Sequence, residues 1–163
     1  MDILKVSWEA YQGYCEELAE KIRQSNFQPD KLVAISRGGL VPARLLADFL
    51  DIRNIHVIGV GLYSGIGKQK NEIRVVQDIG NCSPGEKILI VDDIADSGRT
   101  LEFVKNHLAK KSNGTAEIKI ATVHFKPGSK VIPDYFVQKT TAWIEYPYEA
   151  KEIKREIQKQ ETK

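Results

Sequence analysis

The stretch ILIVDDIADSGRT, Ile88 to Thr100, carries an apolar run into two adjacent acids and then into a short turn of small, hydroxyl-bearing and glycine residues. Four consecutive aliphatics, Ile88 to Val91, have the composition of a strand buried on both faces. From Thr100 the segment TLEFVKNHLAKK has helical spacing and stops before Asn113-Gly114, a helix-ending pair. The stretch reads as strand, turn and helix, with Asp92 and Asp93 at the strand's carboxyl end.

Other segments repeat the pattern. LVAIS, Leu32 to Ser36, is a compact strand followed by RGG and then LVPARLLADFL, where Pro42 sits in a first helical turn. IHVIGVGL, Ile55 to Leu62, is a further strand, IRVVQDI a return strand, and IKIATVHF another. Ser7 to Ile22 has helix-period apolar positions, with Ser7 as N-cap and Trp8, Tyr11, Cys15, Leu18 and Ile22 near one face. The tail from Glu149 spaces Ile153 and Ile157 for a terminal helix with a frayed end. Strands alternating with helical segments predict an α/β fold: a mainly parallel, twisted sheet with helices on both faces.

A length of 163 residues predicts a single domain, 1–163. The chain is 28% charged but balanced, 24 basic against 22 acidic residues, which argues against a nucleic-acid-binding stripe. No apolar run approaches the roughly 20 residues that span a bilayer, and MDILKVSWEA is not a signal sequence. Cys15 and Cys82, without CxxC spacing, predict neither a disulfide framework nor a zinc site. These features predict a cytoplasmic protein with no nucleic-acid or membrane partner.

In an open α/β sheet, ligands settle at the carboxyl ends of strands. Two adjacent carboxylates repel each other there and are costly to bury without a partner. A polyol, whose hydroxyls donate, and Mg²⁺, which prefers hard oxygens, are the partners that suit them. Ser97, Gly98 and Thr100 then supply hydroxyls and a pliant backbone before a helix N-terminus, a natural phosphate cradle. The competing reading is that Asp96, Ser97 and Thr100 merely cap the helix. The doublet and the cradle in one turn favour a sugar phosphate.

Ile88 to Thr100 resembles the phosphoribosyl-pyrophosphate (PRPP) binding motif of the type I phosphoribosyltransferases: four apolar residues, Asp92, Asp93, Ile94, Ala95, Asp96, Ser97, Gly98, Arg99 and Thr100. Ala95 departs from the larger aliphatic usual in the family. SRGG, Ser36, Arg37, Gly38 and Gly39, resembles the loop that receives pyrophosphate, often through a cis peptide; alone it would read equally as a Gly-Gly turn with a surface arginine. The polar segment Tyr63 to Glu72, expected to be mobile, falls where the family carries a lid, with Ser64, Lys68 and Lys70 placed to close over pyrophosphate.

HFKP, with Lys126, and WIEYPYE, with Trp143, Ile144 and Glu145, resemble base-recognition elements of xanthine-guanine phosphoribosyltransferases and other 6-oxopurine enzymes. An ammonium only donates hydrogen bonds, so Lys126 suits a purine O6 carbonyl and not adenine's amino group. Trp143 offers a stacking face, although taken alone it reads first as a structural tryptophan in an amphipathic strand, a reading that its place after the other elements reverses. Two glycine-rich segments, GVGLYSG and GIGKQK, lack the spacing of a dinucleotide fingerprint or a Walker loop.

The resemblance implies a core at about 30–126 and base-site hood elements at about 127–150, with the N-terminus contributing to the hood. It implies transfer of ribose 5-phosphate from PRPP to guanine, xanthine or hypoxanthine in purine salvage. Asp92 and Asp93 would hold the ribose hydroxyls and, directly or through water, Mg²⁺. Asp96 would be the general base, Arg37 and Asp93 would stabilise the separating charges, and residues 97–100 would grip the 5-phosphate. The family habit implies a homodimer or larger homo-oligomer. The alternatives are a regulator of the same fold that senses PRPP or nucleotides, and an adenine phosphoribosyltransferase.

Overall fold

Residues 2–63, 72–83, 85–149 and 151 are described by a computed structural model of the chain. Six strands form one sheet: β2 (Lys31–Ser36), β3 (Ile55–Tyr63), β4 (Glu72–Gln77), β5 (Lys87–Ala95), β6 (Glu117–Phe125) and β7 (Tyr135–Lys139), in the order β4-β3-β2-β5-β6-β7. All neighbours are parallel except β3 and β4. Two short strands, β1 (Ile3–Lys5) and β8 (Trp143–Glu145), pair in parallel as a separate two-stranded sheet.

Alternation along the strands builds two cores, one per face. Leu32, Ala34, Leu89, Val91, Ala121 and Val123 pack against α1 (Trp8–Gln24) and α2 (Leu40–Phe49). Val33, Ile35, Ile88, Ile90 and Ile120 pack against α3 (Arg99–Lys111). Ile88 to Val91 are fully buried, each stabilising the fold by about 1.5–3 kcal/mol relative to exposure. The parallel sheet with helices on both faces is therefore present, and its central strand is the one read from the apolar run.

The sequence predicts β2 to β6 and the three helices, with limits that differ by a few residues. Ser7 caps α1 by accepting from the Ala10 N–H at 3.1 Å. Tyr11, Cys15, Leu18 and Ile22 are buried, but Trp8 is 56% exposed, its ring lying 6.1 Å from Tyr148. Trp8 occupies the first turn, where the shared helix face looks onto Tyr148 and solvent instead of the sheet. β1 and β7 carry no clear alternation of their own, and the sequence does not announce them. The terminal helix expected from Glu149 falls almost wholly outside the described residues.

The chain leaves β2 through α2 to reach β3 on one side, and leaves β5 through α3 to reach β6 on the other. This reversal of direction opens a crevice between neighbouring strands at their carboxyl ends. β2 last pairs with β5 at Ala34 and Val91, whereas β5 runs on beside β6 as far as Ala95 and Phe125. Asp92 and Asp93 are thus near the end of β5, which runs two residues past the strand end expected from the sequence. Pairing with β6 continues past the point where β2 has separated, and the acids stand at the open crevice.

Candidate active site

The β2–α2 turn forms one wall. Its Ser36-Arg37 peptide is cis, as the family resemblance implies. Gly38 and Gly39 are required by close approach: a Cβ on Gly38 would lie 2.6 Å from Asp93 Cγ, and one on Gly39 would lie 2.8 Å from the Ile35 nitrogen. Gly39 caps α2 without a side-chain hydrogen bond, and Arg37 is exposed at the rim. The loop brings backbone close to a carboxylate, and its first residue, Arg37, is exposed.

Asp93 is 6% exposed. Burial pushes its carboxyl up to about 6, against the Tyr148 hydroxyl, which donates to Oδ2 at 3.2 Å and favours the ionised form. Burial, and then the charge of Asp93, push Asp92 well above the usual carboxylate range, while Asp92 Oδ1 accepts from the Asp93 N–H at 3.0 Å. Two acids raised together beside the crevice are acceptors for hydroxyl groups and oxygen ligands for a hard cation. Among the described residues no group of three or more His, Cys, Asp or Glu gathers to hold a metal. A two-carboxylate site fits Mg²⁺, which takes few protein ligands and completes its shell from phosphate and water.

The turn after β5 is the second wall. Gly98 is left-handed at φ 77° and occupies the N-cap of α3 with no side-chain cap. The capping alternative for Asp96, Ser97 and Thr100 is therefore not what the structure contains; the Arg99 N–H reaches Ser97 Oγ only at 3.4 Å. Uncapped N–H groups at a helix start make an anion cradle. A neighbouring loop braces it, since Lys130 N–H donates to the Ser97 carbonyl at 3.0 Å. Ala95 is buried in the α3-side core and its carbonyl accepts from Lys126 N–H at 2.9 Å, so this turn also sets the position of Lys126.

Lys126, Trp143 and Ile144 converge although Lys126 and Trp143 are 17 positions apart. A cleft of about 160 Å³ is lined by Asp93, Ile94, Asp96, Lys126, Trp143, Ile144, Tyr146 and Glu149. Lys126 Nζ lies 3.2 Å from Asp96 Oδ1 and 5.7 Å from the centre of the Trp143 ring. Trp143 is 42% exposed and Ile144 is buried. Trp143 N–H donates to the Asp2 carbonyl and Val6 N–H to the Glu145 carbonyl, so strand alternation turns the Ile144 N–H and C=O to the unpaired edge of β8. A flat indole, a cation, an acid and open backbone groups face one small space.

Ser64, Lys68 and Lys70 lie outside the described residues. Four residues of the site escaped the sequence reading. Tyr146, Tyr148 and Glu149 follow the recognised Trp-Ile-Glu segment directly, and that adjacency was the available signal. His124 gave none. It is fully buried, burial pushes its imidazole down to about 4, and its Nδ1 lies 2.9 Å from the Tyr146 hydroxyl. Tyr146 gives its single proton to the Asp93 carbonyl at 3.2 Å, so His124 carries its proton on Nδ1. Nε2, the buried atom without a partner among the described residues, is then a bare lone pair.

Residues 7–153 match the family model for the phosphoribosyl transferase domain. The chain is 33% identical, over 88% of its length and 85% of the relative's, to a xanthine-guanine phosphoribosyltransferase of Idiomarina loihiensis. It superposes with a TM-score of 0.81 and 36% identity on a purine phosphoribosyltransferase from Pyrococcus horikoshii Ot3, covering 91% of this chain and 94% of that one. A hypothetical protein from Neisseria gonorrhoeae, solved with bound ppGpp, superposes with a TM-score of 0.81 at 28% identity, covering 95% and 94%. The acids at the strand switch, the glycine-walled loop beside them and these matches have one common account: the chain belongs to the phosphoribosyltransferase family.

Proposed function

We propose that the chain transfers ribose 5-phosphate from PRPP to a 6-oxopurine, guanine, xanthine or hypoxanthine, releasing pyrophosphate and forming the nucleoside 5′-monophosphate. The observation that carries the choice of base is the Lys126–Asp96 pair beside Trp143. A 6-oxopurine with its proton on N7 presents an acceptor, O6, next to a donor, N7–H. Lys126 donates to the first and Asp96 accepts from the second while the ring stacks on Trp143. Adenine presents an amino donor where Lys126 also donates, so the pair disfavours it.

The C1–oxygen bond to pyrophosphate breaks as the bond from C1 to the purine nitrogen forms. Asp96 takes the proton from N7 as the ring becomes positive. Asp92 and Asp93 accept from the ribose hydroxyls, and the charge of Asp93 stabilises a cation-like C1. Arg37 and the backbone of Gly38 and Gly39 receive the charge gathering on pyrophosphate. Ser97, Gly98, Arg99 and Thr100 grip the 5-phosphate, which stays attached and orients the sugar. Bound at Asp92 and Asp93, Mg²⁺ would neutralise the pyrophosphate charge. Ile94 lines the cleft between the acids and the base, and Ala95 acts from the core behind it, its carbonyl anchoring the Lys126 N–H.

In this reading the chain is one domain: residues of about 30–126 hold PRPP, and about 127–150, with β1, hold the base. Free Cys15 and Cys82 suit the reducing cytoplasm, and no helix among the described residues is long and apolar enough to cross a membrane. Light scattering tests the homodimer or larger assembly of the family habit. A second reading, a nucleotide sensor, is favoured by the relative solved with ppGpp. An assay with PRPP, Mg²⁺ and each of guanine, xanthine, hypoxanthine, adenine and uracil decides. Nucleotide from 6-oxopurines upholds the transferase, adenine alone overturns the role of Lys126, and tight nucleotide binding with no product from any base favours the sensor.

A further inference from the structure

We propose that Tyr148 is a positioning residue for Asp93, holding its carboxylate in the orientation that meets the ribose. The inference rests on Asp93 being a PRPP-binding group. Its basis is a layer of three tyrosines under that residue. The Tyr148 hydroxyl donates to Asp93 Oδ2 at 3.2 Å and the Tyr146 hydroxyl to the Asp93 carbonyl at 3.2 Å. Side chain and main chain of one acid are thus held by two residues of the same short segment.

The tyrosine rings are themselves fixed. Tyr148 stacks on Tyr146 with centroids 5.2 Å apart and planes 7° from parallel, and meets the edge of Tyr11 at 5.4 Å. Tyr11 is fully buried in α1, with its hydroxyl 3.1 Å from that of Tyr148. An ionised carboxylate only accepts, so Asp93 draws the one proton of Tyr148, for which the Tyr11 hydroxyl oxygen is the other acceptor within reach. Pro147 restricts the backbone between the stacked rings.

A phenol is chemically suited to this task. A lysine or arginine against Asp93 would cancel the charge that ribose hydroxyls and a cation-like C1 require. A neutral hydroxyl fixes the rotamer through one hydrogen bond and leaves the negative charge in place. The segment also begins at Trp143 and Ile144, which flank the base cleft, so one stretch of backbone reaches both substrates.

The test is Tyr148→Phe, which keeps the stacked ring and removes only the oxygen, measured with Tyr11→Phe, which removes the hydroxyl behind it. For Tyr148→Phe, kcat/KM for PRPP falls roughly 10-fold to 100-fold, as for a lost hydrogen bond to a charged group. The dissociation constant of PRPP measured calorimetrically without purine rises in parallel, KM for guanine stays within about twofold, and the thermal midpoint stays near wild type. Tyr11→Phe loses less, because the Tyr148 proton still reaches Asp93. Unchanged PRPP kinetics and binding in a folded Tyr148→Phe protein overturn the inference alone, as does an equal loss toward guanine and PRPP. Wild-type protein that neither binds PRPP nor forms nucleotide overturns the reading of the site together with it.

Discussion

Gly38 lies against the carboxylate of Asp93, so closely that a methyl group on Gly38 would stand 2.6 Å from Asp93 Cγ and 2.7 Å from Oδ1. The β2–α2 loop, proposed to receive pyrophosphate, and Asp93, proposed to hold the ribose, are therefore set at a separation that only a hydrogen atom allows. Gly38→Ala must displace either the loop or the carboxylate. The expected result is a rise in KM for PRPP of at least about 10-fold, since misplacement of about an ångström is costly in catalysis. A purine dissociation constant close to wild type would locate the damage at the sugar end, and wild-type PRPP kinetics would show that the loop yields freely.

Asp96 is exposed and 3.2 Å from Lys126, at the edge of the cleft and away from the buried acids. In its proposed role as proton acceptor it would act in the chemical step, not in gripping PRPP. Asp96→Asn is expected to lower turnover about 100-fold, within the usual range for general base loss, and to leave PRPP affinity near wild type. Single-turnover kinetics with calorimetric PRPP binding separates the two, and unchanged turnover in a folded variant would remove Asp96 from the reaction.

Lys126→Met keeps the length of the side chain and removes the donor proposed to meet O6. The expected outcome is a loss of about 100-fold or more in kcat/KM for guanine and hypoxanthine with little change for adenine, because a site built on hydrogen bonds discriminates strongly. Competition assays with paired bases measure the ratio directly. An unaltered ratio would move base recognition to the backbone of Ile144.

His124 couples stability to pH. Burial holds its imidazole down to about 4, whereas it titrates near 6.5 in the unfolded chain. Between those values the unfolded chain binds a proton that the folded chain refuses, so this contribution is complete above about pH 6.5 and is lost as pH falls toward 4, by about 3 kcal/mol in all. Asp93, raised to about 6, acts in the opposite sense, taking up its proton while folded and adding stability as pH falls from about 6 to 4. Urea titrations of wild type and His124→Asn between about pH 7 and pH 4.5 isolate the histidine: the variant lacks its share of the slope. Parallel curves would mean that His124 is not neutral in the folded protein.

The sequence by itself determined the class of the fold and the chemistry at its centre. An apolar run of four residues between turn signals suits a strand buried on both faces, two adjacent acids at its end call for hydroxyls or a cation, and a glycine-bearing turn before a helix makes a cradle whose N–H groups suit an anion. Those are local requirements, met within a dozen residues. Lys126, Trp143 and Ile144 were legible by resemblance, but their meeting depends on β6, β8 and β1, and the pairing of β1 with β8 joins residues 140 positions apart. Only the tertiary structure decided that Asp92 and Asp93 lie within a strand whose partner has already turned away. It alone decided that His124 is buried without charge and that Tyr11, Tyr146 and Tyr148 gather beneath Asp93. A tyrosine serves equally well in a core, at a surface or as a hydrogen-bond donor, and its role is set by what the folded chain brings within reach of its hydroxyl.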